Sequence, residues 1–165
     1  MTHVSSQTRP IIAVTPAFAV APQISGAELA LLAKQGYRAV VSLRPDAEVE
    51  PDNDTAKIAR LARKRGLEFR HVPAASHEVM LEATIDRFAA AVADLDGPVL
   101  AYCKSGQRAA IVWALAAARH APVPCVLDTL KAAGLDLDVI EDELAEQPRS
   151  DAPRPALLAV ECRQA

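Results

Sequence analysis

Residues 98–102, PVLAY, are apolar at every position, and an apolar run of helical length, AAIVWALAAA, starts after only six intervening residues. A strand without a polar face has no solvent side, which suits the buried centre of a parallel sheet covered by helices above and below. The upstream segments agree. RPIIAVTPAFAVAPQ reads as two short strands broken at Pro16, because proline is tolerated only at strand ends and edges. SGAELALLAKQG predicts a helix with a Ser25 cap, Leu29 and Leu32 on one face, and a stop at Gly36. YRAVVSL is a β-branched strand, followed by the polar loop RPDAEVEPDND. TAKIARLARKRG carries Ile58, Leu61 and Ala62 at helical spacing, with a basic outer face and a Gly66 stop. LEFRHVP is a further strand ended by Pro73, and LEATIDRFAAAVADLDG a helix with Ile85, Phe88 and Val92 inward.

Strand and helix thus alternate three times, which implies right-handed crossovers. The fold predicted is α/β: a central, mostly parallel sheet of four to five strands flanked by helices, with a helical C-terminal third. PCVLDTLKAAG and LDVIEDELAEQP supply that last part. Residues 1–148 form the single domain, and 149–165, with two prolines and no clear period, read as a loosely held tail. A chain of 165 residues, half of them apolar, suits one genuine core.

A net charge of −3 with acids and bases intermixed leaves no electrostatic footprint for nucleic acid, and no basic amphipathic run addresses a membrane surface. No apolar run nears the ~20 residues of a membrane span, and MTHVSSQTRP lacks the regions of a signal peptide. The three cysteines, Cys103, Cys125 and Cys162, are widely spaced and match neither a disulfide framework nor a zinc pattern. They fit a reducing compartment, so a cytoplasmic location is expected.

Cys103 stands at the carboxyl end of the central strand, where open parallel sheets bind ligands. Amides from Lys104 onward should converge there with the positive end of the following helix, expected to begin near Arg108 or Ala109. Gly106 permits the tight, partly left-handed turn that an anion nest needs. The same field favours a thiolate, and Arg108 and Lys104 add full charges. The whole is an activated nucleophile inside an anion cradle. Ser105 and Gln107 either add side-chain hydrogen bonds or face solvent. Cys125 and Cys162 have no such neighbours and read as apolar filling.

With these residues in hand, the chain from about Pro22 to Leu137 resembles the beta-lactamase-hydrolase-like, phosphatase-like family, also called domain of unknown function 442. QISGAELALLAKQGYRAVVSLRPDAE, FRHVP, GPVLAYCKSGQRAAIVWALA and AAGLDL carry the likeness. It implies a fold like dual-specificity phosphatases, with Cys103 as nucleophile and Arg108 as anion-binding residue, and it places Arg44 and Asp46 beside the pocket. The family is linked both to phosphatase activity and to sulfur transfer, the latter beside persulfide-oxidising enzymes.

Between those chemistries the loop itself favours sulfur. Cysteine phosphatases typically place five residues between cysteine and arginine, whereas only Lys104, Ser105, Gly106 and Gln107 intervene here, as in rhodanese loops that cradle a persulfide. Ala109 replaces the hydroxyl that helps a thiolate leave phosphorus, and Tyr102 replaces the usual preceding histidine. The loop after FRHVP reads AASHEVM, with no aspartate to act as general acid, only His77 and Glu78. Asp94 and Asp96 should lie on the wrong side of the sheet. The expected function is therefore a cysteine-dependent sulfurtransferase. Cys103 would take sulfur from thiosulfate or a low-molecular-weight persulfide and pass it to a thiol, sulfite or cyanide acceptor. A cysteine-dependent phosphatase is the alternative, and a non-catalytic sulfur carrier docked on a partner a further one. No cofactor is expected. His71, His77 and Glu78 do not make a metal site, since three ligands in ideal geometry would be needed. An oligomer through the apolar PALLAV segment stays open, and RPD could be purely structural, with Arg44 paired to an acid such as Asp46.

Overall fold

The computed structural model describes residues 11–162. Its five-stranded sheet has the order β1–β2–β5–β3–β4. The strands are β1 (Ile12–Thr15), β2 (Phe18–Ala21), β3 (Ala39–Ser42), β4 (Glu68–His71) and β5 (Val99–Tyr102). Pro16 turns the chain between β1 and β2, and these two pair antiparallel while every other pairing is parallel. PVLAY therefore lies at the centre of the sheet, where its uniformly apolar residues meet helices on both sides.

Those sides are two separate apolar layers. On one, Ala19, Ala21, Val40 and Leu100 pack against Leu29 and Leu32 of α1 (Gly26–Lys34) and Ile58 and Ala62 of α2 (Thr55–Lys64). The other gathers Phe18, Val20, Val41, Val99 and Ala101 under α3 (Glu82–Val92), α4 (Gln107–Ala117) and α5 (Val123–Ala132), with the short α6 (Glu141–Ala145) beside them. Successive strand residues alternate between the layers because strand side chains alternate faces. The caps are the expected ones: Ser25 Oγ accepts from the Glu28 amide and donates to the Glu28 carboxylate, and Gly36 turns left-handed at φ +92°. Asp54 caps α2 through the Ala56 amide (3.0 Å).

Two expectations fail at the C-terminal end. Cys125 and Cys162 are joined in a disulfide, Cα to Cα 4.9 Å apart, so only Cys103 is a free thiol. The argument from cysteine usage for a reducing compartment therefore falls away. Residues 156–160, expected to be loosely held, instead form a turn that buries Leu157, Leu158 and Val160 in the larger core layer. Trp113 Nε1 donates to the Leu157 carbonyl at 2.8 Å and fixes the turn's depth. No helix among the described residues is long and apolar enough to cross a membrane.

Candidate active site

β5 delivers Cys103 to the carboxyl edge of the sheet, where its amide bonds the end of β2 (Ala21 O, 3.3 Å). The chain then turns through Lys104, Ser105 and Gly106 into α4, whose first residue is Gln107, one residue earlier than expected. Gly106 is the cap, at φ +92°, a conformation that disfavours any side chain. A Cβ there would also lie 3.3 Å from the Ala21 carbonyl carbon. The turn directs the Gly106 amide onto Cys103 Sγ at 3.0 Å, so the buried sulfur accepts a backbone hydrogen bond at a helix start. Ala109 is buried beneath, whereas Lys104, Ser105 and Gln107 are exposed. Ser105 Oγ is used locally, by the Gln107 amide (3.3 Å). A cleft of about 390 Å³ borders the loop on the β2 side, lined by Ala21, Pro22, Gly106, Leu135 and Leu137 among others.

Arg108 reaches back toward Cys103, close enough for the sulfur to act on its charge. One guanidinium nitrogen donates to Ala74 O (2.8 Å) in the loop after β4, and the other to Glu48 Oε1 (2.5 Å). Glu48 closes a 3-10 turn, Asp46–Glu48, directly after β3. The same carboxylate oxygen accepts from Arg44 Nε at 3.2 Å. Arg44 is held on every side: Nη1 donates to Gln23 Oε1 and Nη2 to the Glu48 carbonyl, both at 2.8 Å, while its own carbonyl meets His71 Nε2 at 2.7 Å. Its side chain is only 4% exposed. Arg44 is thus a strut that carries Glu48, with Arg108 as the guanidinium at the sulfur. Beneath them, burial pushes the Tyr102 phenol up, against hydrogen bonds to Ser42 and Gln23 and the Arg44 charge.

Burial alone would raise the Glu48 carboxyl, but hydrogen bonds from Arg108 and Arg44, and their charges, outweigh it and hold it below the usual carboxylate range. Sequence reasoning misses Glu48 and points instead to Asp46 as the pocket acid and as Arg44's partner. Asp46 is exposed, and the ion pair of Arg44 is with Glu48. The i,i+4 spacing from Arg44 is the available signal. Glu78, the acid of the loop after β4, is bound to the Ala75 amide (3.0 Å). Asp94 pairs with Arg70 on the edge strand. Among the described residues no three of His, Cys, Asp and Glu gather as metal ligands.

Residues 11–120 match the family model of the beta-lactamase hydrolase-like protein, phosphatase-like domain. A beta-lactamase hydrolase-like protein of Xylella fastidiosa is 37% identical over 107 residues, covering 64% of this chain and 24% of that protein. The chain thus spans about a quarter of the length of the curated relatives it matches. Among solved structures, a candidate phosphatase from Neisseria meningitidis Z2491 superposes with a TM-score of 0.69 at 27% identity, over 81% of this chain and 95% of that one. The core catalytic domain of the PP-IP phosphatase SIW14 from S. cerevisiae shares the fold, with a TM-score of 0.60 at 10% identity over 83% and 84% of the two chains. The expected dual-specificity-phosphatase-like architecture is the one observed.

Proposed function

The chain belongs to the beta-lactamase hydrolase-like family, in its phosphatase-like domain, and from that premise we propose that it is a cysteine-dependent phosphatase acting through a phosphocysteine. The observation that carries this reading is Cys103 itself: a buried free thiol, hydrogen-bonded by the Gly106 amide, beneath Arg108. A phosphoryl group entering that space meets a sulfur nucleophile, the loop amides and a planar guanidinium that binds two oxygens at once. Cys103 attacks phosphorus, the ester oxygen leaves, and water then hydrolyses the thiophosphate. The likeness to the Neisseria protein, a candidate phosphatase, supports the same chemistry.

Sulfur transfer, the function expected from the sequence, receives no support from the relatives and becomes the second reading. Loop length still favours it: four residues separate Cys103 from Arg108, and Ala109 offers no hydroxyl. In that case the partners would be a small anionic sulfur donor, a thiol, sulfite or cyanide acceptor, and a persulfide-oxidising enzyme.

Intact-mass analysis separates the two. Brief incubation with p-nitrophenyl phosphate and acid quenching should show one phosphoryl group on Cys103, with steady release of nitrophenol. A sulfur atom added from thiosulfate, removable by cyanide, with no turnover of the phosphate ester, would instead establish the second reading. A single loading without turnover would mark a carrier. Arg108→Lys keeps the charge but loses the fork. We expect kcat/KM for the aryl phosphate to fall about 10²-fold, typical of losing one donor to a transition-state oxyanion, with the melting temperature nearly unchanged. A variant with wild-type turnover would remove Arg108 from the anion cradle.

A further inference from the structure

A phosphatase of this kind needs a carboxylic acid to protonate the departing oxygen. Among the described residues the carboxylate that pairs with Arg108 is Glu48, whereas Glu78 caps its own turn through the Ala75 amide and Asp94 pairs with Arg70. Resting on the phosphatase reading, we propose that Glu48 is that general acid, seated on Arg108 while the site is empty and released from it when a phosphoryl group takes the guanidinium.

Three observations support the assignment. Glu48 Oε1 lies against Arg108 Nη2, the nitrogen not committed to Ala74, so carboxylate and substrate oxygen compete for one donor beside Cys103. The Glu48 side chain is 31% exposed, open enough to swing off and to meet a leaving group. It is also anchored from behind by Arg44, whose position four other bonds determine, so it moves without leaving the mouth. The groups facing it are Arg44 at the end of β3 and Arg108 on α4, with Cys103 behind Arg108.

The exchange also sets its protonation. In the empty site Arg108 and Arg44 hold the carboxyl ionised. When phosphate charge neutralises Arg108, one of those two influences is gone while burial still favours the neutral form. A phosphomonoester monoanion brings a proton of its own, which passes to Glu48 as the dianion settles on Arg108. Cys103, reacting as its thiolate, then forms its bond to phosphorus, the phosphorus–oxygen ester bond breaks, and the Glu48 proton goes to the leaving oxygen, giving a neutral alcohol. In the second step water attacks phosphorus, Glu48 takes its proton, and the sulfur–phosphorus bond breaks; the phosphate carries that proton away as the monoanion, and Glu48 returns ionised to Arg108.

The test is the dependence on leaving group. Glu48→Gln keeps the shape and loses the proton. Phenyl phosphate, whose phenol is as weak an acid as tyrosine (about 10), should lose roughly 10²–10³-fold in kcat/KM, which reports ester cleavage and not the later hydrolysis common to both esters. The nitrophenyl ester, which departs without help, should lose less than about tenfold. Equal losses on both esters would make Glu48 a positioning residue for Arg108 and overturn the proposal. An independent measurement needs no variant. Wild-type kcat/KM for the two esters should agree within about tenfold, because an acid levels leaving-group differences in the ester-cleavage step. A wild type that already favours the nitrophenyl ester by more than about 100-fold has no general acid and overturns it as well. Wild-type protein inactive on both esters would defeat the phosphatase reading itself, an outcome distinct from either.

Discussion

Cys103→Ser should abolish turnover of the aryl phosphate, by at least roughly 10⁴-fold, as removal of a covalent nucleophile does elsewhere. The substituted hydroxyl occupies nearly the same volume and still accepts from the Gly106 amide. Its oxygen, however, is a far weaker nucleophile without an adjacent base. The variant should therefore melt within a few degrees of the wild type and still bind inorganic phosphate, since Arg108 and the loop amides are untouched. Substantial activity in the Ser variant would show that phosphoryl transfer does not pass through Cys103. Binding and chemistry are thereby read separately.

Trp113→Ala carries the largest expected loss of stability. The indole is fully buried, stacked on Phe18 at 5.5 Å with the rings 8° from parallel, and its N–H is the anchor of the C-terminal turn. Truncation removes the largest buried side chain and leaves the Leu157 carbonyl without its donor. Cavity formation at such a residue costs about 3–5 kcal/mol, equivalent to roughly 10 °C in melting temperature for a chain of this size. Loss of the tail's packing should appear first, as faster backbone amide exchange over residues 156–160. A drop of only a degree or two would mean that the stack and the turn contribute little to the core.

Much of this architecture is legible in the chain because its signals are local. The uniformly apolar β5, the Ser25 cap and the stripe of Leu29 and Leu32 each announce themselves within a dozen residues, and the Cys103–Arg108 loop is contiguous. What escapes is set by distance. Glu48 meets Arg108 across 60 residues, and it does so because a 3-10 turn brings its third residue round to face the guanidinium while Asp46, nearer to Arg44 in sequence, is carried outward. Cys125 and Cys162 lie 37 residues apart with no spacing motif to join them; they meet because α5 and the tail lie side by side. Leu157, Leu158 and Val160 show no helical or strand period because the segment is an irregular strap, whose burial is decided by the hydrogen bond from Trp113 to the Leu157 carbonyl and by the α4 surface. The loop length that speaks for sulfur is a local signal too, and a count of residues does not register the Glu48 carboxylate that arrives from beyond the end of another strand.

Gln23, the Arg44–Glu48 stretch and Arg108 come from three segments of the chain, and each holds the next. A group of this kind is altered only in concert. Removing Glu48 leaves two guanidiniums facing one another with no carboxylate between them in a partly buried place, whereas removing Arg44 leaves the carboxylate drawn wholly to Arg108 and frees it from its anchor. The energetic effects of substitutions at these positions should therefore not add. Substitutions in this corner of the molecule should be tolerated better as paired exchanges than singly, whereas the exposed neighbours Lys104, Ser105 and Gln107 stand outside that group, where their side chains shape what approaches the sulfur.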